Sequence, residues 1–368
     1  MKLIDLAAQY QNIQSAMDAA ISKVLQHGQF ILGPEVAALE QELANYVGVK
    51  HVITMSSGTT ALQVALMALN VGPGDEVITS PFSFFGTVEV ILLLGATPVF
   101  VDINPKTYNL DPELLAAAIT KNTKAIMPVS LYGQCADYAA INQIAKDIPV
   151  IEDAAQSFGA KYKEKYSCGL TTIACTSFFP SKPLGGYGEG GACFTNDDDL
   201  ALNMRMIMNH GQRQRYEHVL VGLNGRFDTL QAAIVLTKLR GQFAGEIQAR
   251  QQVAKWYQQY LPESGITPAY VEPYNLSVYA QYTVRVSDRA SYIKNLQEQD
   301  IPTAVHYPKP LHQQAALPNY YHQQVFPHAE KAAQEVLSLP FHPYMREEEV
   351  KQVAAVLETV LTSSSVVG

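Results

Sequence analysis

The feature that most constrains this chain is an alternation of short β-branched runs with helical segments between about residues 50 and 155. Strand composition is found in five segments, 51–55, 76–79, 97–102, 125–129 and 150–153. Between them, apolar residues recur at helical spacing, as they do over 62–69. Strands that alternate with helices in this way are typical of a mainly parallel sheet covered by helices on both faces. We therefore predict an α/β fold.

Beyond residue 153 the pattern changes to scattered short strands and longer helices. Strands are predicted over 172–179 and 191–195, on either side of a glycine-rich loop at 180–190. A long helical stretch follows over 228–260. The rest of the chain has the pattern of a smaller α+β unit with two further helices at its end, and its other predicted elements are a strand over 279–286, a helix over 291–299 and a strand over 303–306.

Length and composition suit a two-domain globular protein. The chain has 368 residues, of which 48% are hydrophobic and 16% charged, so the apolar material suffices for a large core. We predict a large domain over 1–240, which includes an N-terminal segment, and a small C-terminal domain over 241–368. The net charge of −8 and the lack of a basic block argue against a nucleic-acid partner.

The sequence favours a cytoplasmic protein with no metal site and no membrane partner. The four cysteines form no CxxC pair, and no histidine lies at zinc-finger spacing from them. Their number in so long a chain suggests reduced thiols. The first residues lack the unbroken apolar stretch of a signal peptide. The most apolar run, 88–101, is interrupted by Gly95 and Pro98 and is too short to span a bilayer.

Three short motifs have the residue types that bind a ligand. The first, SSGTT at 56–60, lies between a predicted strand and a predicted helix. There the helix N-terminus would present N–H groups to a phosphate, although an ordinary Ser/Thr helix cap has the same pattern. The second is Glu152-Asp153 at the end of an apolar strand, where ligands bind in open α/β sheets. The alternative is that Asp153 caps a following helix.

The third motif is a lone lysine, Lys182, between an apolar strand and five glycines. Lysine becomes a nucleophile when burial or a neighbouring cation lowers its pKa, and glycines let a planar group approach the backbone. A solvated lysine in a surface loop is the alternative. Together, a phosphate cradle, a strand-end carboxylate and a loop lysine are the parts needed to hold pyridoxal 5′-phosphate (PLP). An aromatic cover is available in FSFF at 82–85, although these residues could equally belong to the core.

The motifs SSGTTAL, ATPVFVDI, IEDAAQSFGA, TSFFPSKPLGGYGEGGA and GLNGRFDTLQAA resemble those of the DegT/StrS family of PLP-dependent sugar-nucleotide aminotransferases. The resemblance extends over nearly the whole chain. It implies the aspartate-aminotransferase-like (type I) PLP fold, with a large domain built on a mainly parallel sheet and a smaller C-terminal α+β domain.

The resemblance also implies roles for individual residues. Lys182 matches the lysine that binds the cofactor covalently and moves the substrate proton, and Asp153 matches the partner of the pyridine nitrogen. Together these two form the expected catalytic pair. The remaining residues expected around the cofactor are Ser57, Gly58 and Thr59 at the phosphate, Ser177 beside them, Phe84 on the ring, Gln156 near the ring oxygen, and Asn224, which reaches the phosphate from the neighbouring subunit. The implied assembly is a homodimer with active sites shared between subunits.

A finer resemblance lies in SLYGQCAD at 130–137 and AVHYPKPLH at 304–312. These segments are similar to the branch of the family that aminates C3 of a UDP-linked 3-keto sugar in bacterial O-antigen synthesis. By this resemblance Arg226, His306 and Tyr307 would contact the nucleotide sugar. From the residues alone, Arg226 could instead pair with Asp228, and the other two could be packed side chains.

The expected function is therefore amino transfer from L-glutamate to UDP-2-acetamido-2-deoxy-3-oxo-D-glucuronate. Two alternatives remain within this chemistry and this fold: amination of a dTDP- or UDP-linked keto-deoxysugar at C3 or C4, and a non-catalytic sensor that holds PLP. A nucleotide-sugar binding module without PLP is disfavoured, because the G-x-G-x-x-G fingerprint is missing from the SSGTT segment.

Overall fold

The computed structural model describes residues 1–365, so that the last three residues of the predicted small domain, 366–368, lie outside the described residues. Its α-helices are α1 Leu6–His27, α2 Pro34–Val47, α3 Gly58–Ala68, α4 Gly86–Leu93, α5 Pro112–Ala118, α6 Tyr138–Ala145, α7 Asp198–Ile207, α8 Thr229–Gly241, α9 Phe243–Tyr260, α10 Arg289–Glu298, α11 Pro327–Glu335 and α12 Glu347–Ser365. Its strands are β1 His51–Met55, β2 Glu76–Thr79, β3 Thr97–Phe100, β4 Thr123–Met127, β5 Ile151–Asp153, β6 Lys161–Tyr162, β7 Lys165–Tyr166, β8 Ile173–Ser177, β9 Gly191–Thr195, β10 Gln212–Gln214, β11 Glu217–His218, β12 Thr267–Pro268, β13 Asn275–Leu276, β14 Tyr282–Arg285 and β15 Val336–Leu339. Short 3₁₀ turns lie at Leu131–Gly133, Leu311–Gln313 and Tyr321–Gln323.

The central sheet has the strand order β1-β9-β8-β5-β4-β2-β3. Strand β2 is parallel to both β3 and β4, and β5 is parallel to β8. Parallel bridges from Ile126 to Val150 and from Val129 to Asp153 join the two halves. Strand β9 runs antiparallel to β1 and β8. The predicted mainly parallel sheet is therefore confirmed, with β9 as its reversed strand.

Helices cover this sheet on both faces, and the alternation of side chains along the strands decides what each residue meets. In β1, Ile53 and Met55 pack with α3 and α7, whereas Val52 packs with α2 and α8 on the other face. The same period of two operates in β5, where Ile151 belongs to the α3 side and its neighbour Val150 to the opposite side. Consecutive carboxylates at the end of β5 must therefore point to different faces.

A second core lies towards the C-terminal end of the chain. The sheet β12-β14-β15 packs with α9, α10 and α12 around residues such as Tyr257, Val284 and Leu357. Helix α8, by contrast, packs against α1 and α2, and it belongs to the layer that covers the large sheet. The division at residues 240 and 241 stays a prediction.

Two predicted elements need correction, and one strand was not predicted. The segment 303–306 is not a strand, since only Ala304 bridges to Ser338. Prolines before and after it, at 302 and 308, provide no N–H groups for a ladder. Its bridging partner Ser338 belongs to β15, a strand that the sequence reading missed. The predicted stretch 228–260 is divided at Gln242 into α8 and α9.

Among residues 1–365, no helix combines the length and the apolar character that a bilayer crossing requires.

Candidate active site

A cavity of about 440 Å³ opens where the parallel strands β5 and β8 end. Its walls come from the N-termini of α3 and α4, from the glycine-rich loop after β8, and from residues 306 and 307 of the C-terminal part. The cavity brings together ten of the residues that the sequence singles out, namely Ser57, Gly58, Thr59, Phe84, Asp153, Gln156, Ser177, Lys182, His306 and Tyr307.

The N-terminus of α3 forms a cradle that fits a phosphate. Ser57 caps the helix, and its Oγ accepts a hydrogen bond from the Thr60 backbone N–H over 3.0 Å. A side chain at Gly58 would place its Cβ 2.7 Å from the Cβ of Ser177, so only glycine allows the helix to start this close to β8. The first N–H groups of a helix have no intrahelical acceptor, and here they face the cavity beside the Thr59 and Ser177 hydroxyls. The helix cap and the phosphate cradle thus coexist.

Asp153 is the buried carboxylate of the site. Its Oδ2 accepts a hydrogen bond from Thr87 Oγ1 over 2.8 Å, and its Oδ1 accepts one from the Ala155 backbone N–H over 3.2 Å. A turn follows Asp153 rather than a helix, so the helix-cap alternative is wrong. Burial raises the pKa of Asp153, and the positive charge of Lys182 partly opposes that rise. A cationic partner such as a protonated pyridine nitrogen would suit this carboxylate.

Glu152 points to the opposite face and takes no part in the cavity. Its carboxylate accepts hydrogen bonds from Ser167 Oγ over 2.7 Å, the Cys168 backbone N–H over 2.9 Å and Ser130 Oγ over 3.0 Å. Burial raises the pKa of Glu152 to about 7. The alternation along β5 therefore gives one carboxylate to the site and keeps the other inside the fold.

Lys182 stands at the start of the glycine-rich loop, partly exposed to the cavity. The loop folds back on β8, since the Lys182 backbone N–H donates to the Phe179 carbonyl over 2.9 Å and that of Gly186 donates to the Phe178 carbonyl over 2.7 Å. Burial lowers the pKa of the Lys182 amine, while Asp153 acts in the opposite direction. A larger fraction of the amine is therefore neutral and nucleophilic than in a solvated lysine.

The side wall of the cavity is a fixed hydrogen-bond network. Gln156 Oε1 accepts from the Tyr132 backbone N–H over 2.7 Å, and Gln156 Nε2 donates to the Tyr307 hydroxyl over 3.1 Å. The Tyr132 hydroxyl donates to the His306 carbonyl, and His306 Nδ1 lies 2.9 Å from Ser338 Oγ. Burial, helped by the charge of Lys182, lowers the pKa of His306 to about 4, so this imidazole is neutral near pH 7.

Of the three phenylalanines in FSFF, Phe84 is the one that lines the cavity. Its side chain is 57% exposed, whereas Phe82 is 1% exposed and belongs to the core. Phe85 also packs inward, against a cluster around Val88 and Phe100. The ring centroids of Phe84 and Tyr307 are 6.4 Å apart. An exposed aromatic ring that lines the same cavity as Lys182 and Asp153 fits a flat ligand ring, and these residues together fit PLP.

Asn224 and Arg226 do not line the cavity of their own chain. Asn224 is exposed on a loop that bridges to Asn209. Arg226 Nη1 donates to Asn209 Oδ1 over 3.0 Å, and within residues 1–365 Arg226 makes no ion pair with Asp228. This loop adjoins the phosphate cradle, because the Gly225 carbonyl accepts from the Ser56 backbone N–H over 2.9 Å. Roles for these two residues at a neighbouring subunit's site stay predictions.

The structure adds cavity residues that sequence reasoning missed, among them Thr87, Glu189 and Gln281. Gln281 Oε1 is buried and has no hydrogen-bond partner within the described part of the chain. Thr87 contacts Asp153 across 66 positions of sequence. No local pattern of the sequence indicates that Thr87 or Gln281 lies in the cavity, since the position of each depends on how distant segments pack.

Loss of the Thr87 hydroxyl is expected to slow catalysis by about tenfold, because one charge-assisted hydrogen bond to Asp153 disappears and its pKa rises further. We expect Thr87→Val to lower kcat by this factor and Thr87→Ser to restore it. Thr97→Val, on an exposed position of β3, is the matched control. A Thr87→Val enzyme with wild-type kcat would show that Thr87 does not position the carboxylate.

Fold and site define a PLP-dependent aminotransferase of fold type I. The chain matches the model of the DegT/DnrJ/EryC1/StrS aminotransferase family over residues 11–358 and belongs to this family. It is 57% identical over 359 residues to the UDP-2-acetamido-2-deoxy-3-oxo-D-glucuronate aminotransferase of Pseudomonas aeruginosa, a match that covers 97% of this chain and 99% of that protein.

Solved structures agree with this assignment. A DegT/DnrJ/EryC1/StrS aminotransferase from Brucella abortus superposes with a TM-score of 0.93 at 41% identity, covering 98% of this chain and 99% of that one. NtdA from Bacillus subtilis, solved with bound pyridoxamine phosphate (PMP), superposes with a TM-score of 0.89 at 32% identity, covering 97% of this chain and 83% of that one. The cofactor of the present protein is pyridoxal 5′-phosphate.

Proposed function

We propose that this protein transfers the amino group of L-glutamate to C3 of UDP-2-acetamido-2-deoxy-3-oxo-D-glucuronate. The reaction would take place in the cytoplasm and supply bacterial O-antigen or related surface polysaccharide. The observation that supports amino transfer most directly is the convergence of Lys182, Asp153 and the α3 N-terminus on one cavity. The similarity to the Pseudomonas aeruginosa enzyme supports the choice of sugar.

Each residue has a task that follows from its position. PLP, when bound, supplies an aldehyde that takes up the amino group and a ring that accepts electron density. The buried carboxylate of Asp153 would keep a proton on the pyridine nitrogen. The Lys182 amine, displaced by the incoming substrate, would remove the proton from the substrate carbon and return it in the second half-reaction. Phe84 would hold the ring against the cavity floor.

The sugar would bind between His306, Tyr307 and a cation from another subunit. Because the pKa of His306 is lowered to about 4, this side chain can serve as a neutral hydrogen-bond partner but cannot balance a uronate carboxylate at pH 7. Arg226 has a buried Nε without a partner in the described chain. Its guanidinium would offer two parallel hydrogen bonds to a carboxylate or a diphosphate.

A homodimer with shared sites accounts for the position of Arg226 and Asn224. Both lie on the same loop, next to exposed apolar residues. Tyr216 is 80% exposed and Val221 is 87% exposed, and Phe30 and Ile31 add a second exposed apolar segment. Contiguous exposed apolar surface marks protein interfaces. In an isologous dimer, the loop of one chain would complete the cavity of the other.

Mixing two inactive variants is expected to restore activity. Lys182→Ala and Arg226→Ala damage opposite sides of a shared site, so each mixed dimer would contain one intact site. Random exchange of subunits makes half of the dimers mixed, and the expected recovery is about one quarter of wild-type activity. A mixture of Lys182→Ala with Asp153→Asn is the control, because both lesions then lie on the same side and no intact site can form. Lack of recovery in the first mixture would contradict the shared site.

The proposed reaction is tested in two steps. The absorption spectrum of the PLP-loaded protein should change to that of the pyridoxamine form on addition of L-glutamate. Keto sugars are then offered, and the uronate should be aminated at C3 faster than analogues without a carboxylate. Preference for a dTDP- or UDP-linked keto-deoxysugar, or amination at C4, would assign the alternative substrate. A cofactor spectrum that no amino donor changes would indicate a sensor.

A further inference from the structure

Two polar residues of α8 form hydrogen bonds to the backbone of the glycine-rich loop that contains Lys182. Gln231 Oε1 accepts a hydrogen bond from the Tyr187 backbone N–H over 2.9 Å, and Lys238 Nζ donates to the Gly185 carbonyl over 2.7 Å. These two side chains are seven positions apart, which places them on the same face of the helix. The loop therefore rests on α8 at two points of its backbone.

Lys238 is an unusual residue to find at such a contact. It is 1% exposed, and within the described residues no carboxylate lies at ion-pair distance from its ammonium. The charge lies instead 4.2 Å from the centroid of the Tyr187 ring, which belongs to the same loop. A buried charge is expensive unless it is hydrogen-bonded, and both of its contacts here are with the loop. An apolar side chain in this place would be the simpler solution if packing were the only requirement.

Gly185 follows Lys182 by three positions and lies against the start of the same loop. A Cβ at Gly185 would lie 2.4 Å from the Pro180 carbonyl oxygen, so the loop passes tightly over its own start. The next residue, Gly186, is hydrogen-bonded back to Phe178 at the end of β8. Displacement of the Gly185 carbonyl would therefore be passed to the backbone of Lys182.

We infer that Lys238 is a positioning residue, which holds the Gly185 carbonyl and thereby fixes the loop that presents Lys182 to the cofactor aldehyde. The inference rests on the proposed role of Lys182. When the cofactor is attached to the chain, the Lys182 nitrogen would form a double bond to the aldehyde carbon, and the aldehyde oxygen would leave as water with two protons. The step has a strict geometry, because the nitrogen must approach the carbonyl carbon from one side of its plane.

The position of Lys238 makes this hold dependent on pH. Burial lowers the pKa of Lys238 to about 8, while the negative charge of Glu246 in α9 acts in the opposite direction. The titratable group of the loop that faces Lys238 is Tyr187, whose pKa is raised by burial and by Tyr10 and Asp18 of α1. The carboxylate of Glu42 in α2 pairs with Arg240 instead. Because the charged form is the one lost as pH rises through this value, the hold should weaken in alkaline solution.

The test compares binding of PLP with binding of PMP, which cannot react with Lys182. For Lys238→Met we expect the Kd of PLP to rise about tenfold, as for the loss of one hydrogen bond to a charged donor, and that of PMP to stay within about twofold. Lys238→Arg, which keeps a charge and donors, should restore the affinity for PLP. Lys255→Met, on an exposed position of α9, is the control and should bind both forms like the wild type.

Unchanged PLP affinity in Lys238→Met, or an equal loss for PLP and PMP, would overturn the inference. If Lys238→Met shows no cooperative thermal transition, the wild type and Lys238→Arg are compared between pH 7 and 9.5. The ratio of the PLP to the PMP dissociation constant should then rise more in the wild type, and parallel curves would contradict the inference. Lys182→Ala separates the two hypotheses, since PLP affinity equal to wild type in that variant would refute the proposed role of Lys182 itself.

Discussion

Replacement of Lys182 by alanine is expected to abolish transamination and to leave the fold intact. The side chain is the only lysine that lines the cavity within the described residues, and its pKa is lowered by burial. In its proposed role, the Lys182 amine would bind the cofactor covalently and would transfer the substrate proton, and alanine has no group that could do either. We expect kcat to fall by about 10⁴-fold or more, since general acid–base catalysis alone contributes about 10²–10⁴-fold.

Two measurements distinguish a chemical loss from a structural one. Borohydride reduction of the PLP-loaded wild type should attach the cofactor to the chain and raise its mass, whereas the Lys182→Ala chain should stay unmodified. PMP should bind to both proteins with similar affinity, because the cradle at α3 and the ring contacts remain. Lys255→Ala, at an exposed lysine, serves as the control. Retained steady-state turnover in Lys182→Ala would falsify the assignment of this residue.

The sequence identifies those residues of the site whose role is encoded locally. Lys182 is recognisable because a charged residue among glycines follows an apolar strand, and Asp153 because a carboxylate ends one. The SSGTT segment is likewise visible as a strand-to-helix turn. In each case the residues that create the signal are neighbours in the chain, and the α/β pattern alone places the ends of the parallel strands at one edge of the sheet.

Contacts between distant segments could not be found in this way. The hydrogen bond from Thr87 to Asp153 needs α4 and β5 to pack as they do, and the one from Lys238 to Gly185 joins α8 to a loop 53 positions away. The β-branched residues of the segment 303–306 predict a strand, yet only Ala304 bridges to the neighbouring strand β15, which the sequence does not indicate. In a small domain with antiparallel neighbours, pairing is decided by what packs beside a segment more than by its own composition.

The same distinction explains the two adjacent carboxylates of β5. From the dipeptide, either Glu152 or Asp153 could face a ligand, and the period of two in a strand allows only one of them to do so. Thr87 and Lys182 surround the carboxylate of Asp153 on the cavity face. Ser130, Ser167 and Cys168 form hydrogen bonds to the carboxylate of Glu152 on the other face. Burial raises the pKa of Glu152 to about 7 without giving it access to the cavity. A raised pKa therefore does not by itself identify the catalytic acid in this protein.

Asp153→Asn is expected to keep the cofactor and lose most of the rate. Asparagine has the same shape and can still accept a hydrogen bond from Thr87, but it carries no negative charge to hold a proton on the pyridine nitrogen. The bound ring would then be a weaker acceptor of electron density in the step in which, by the proposed mechanism, Lys182 removes the substrate proton. We expect kcat to fall by about 10²–10³-fold, the range typical for loss of one preorganised electrostatic contact.

The matching control is Asp111→Asn, at the N-cap of α5 outside the cavity, where asparagine caps a helix as well as aspartate does. The rate of the glutamate half-reaction, followed by stopped-flow absorbance, measures the effect on proton removal without the second substrate. Equal affinity for PMP in wild type and Asp153→Asn would show that the site is still formed. Near-wild-type half-reaction rates in Asp153→Asn would contradict the role of this carboxylate, since the substitution removes the charge that would hold the pyridine proton.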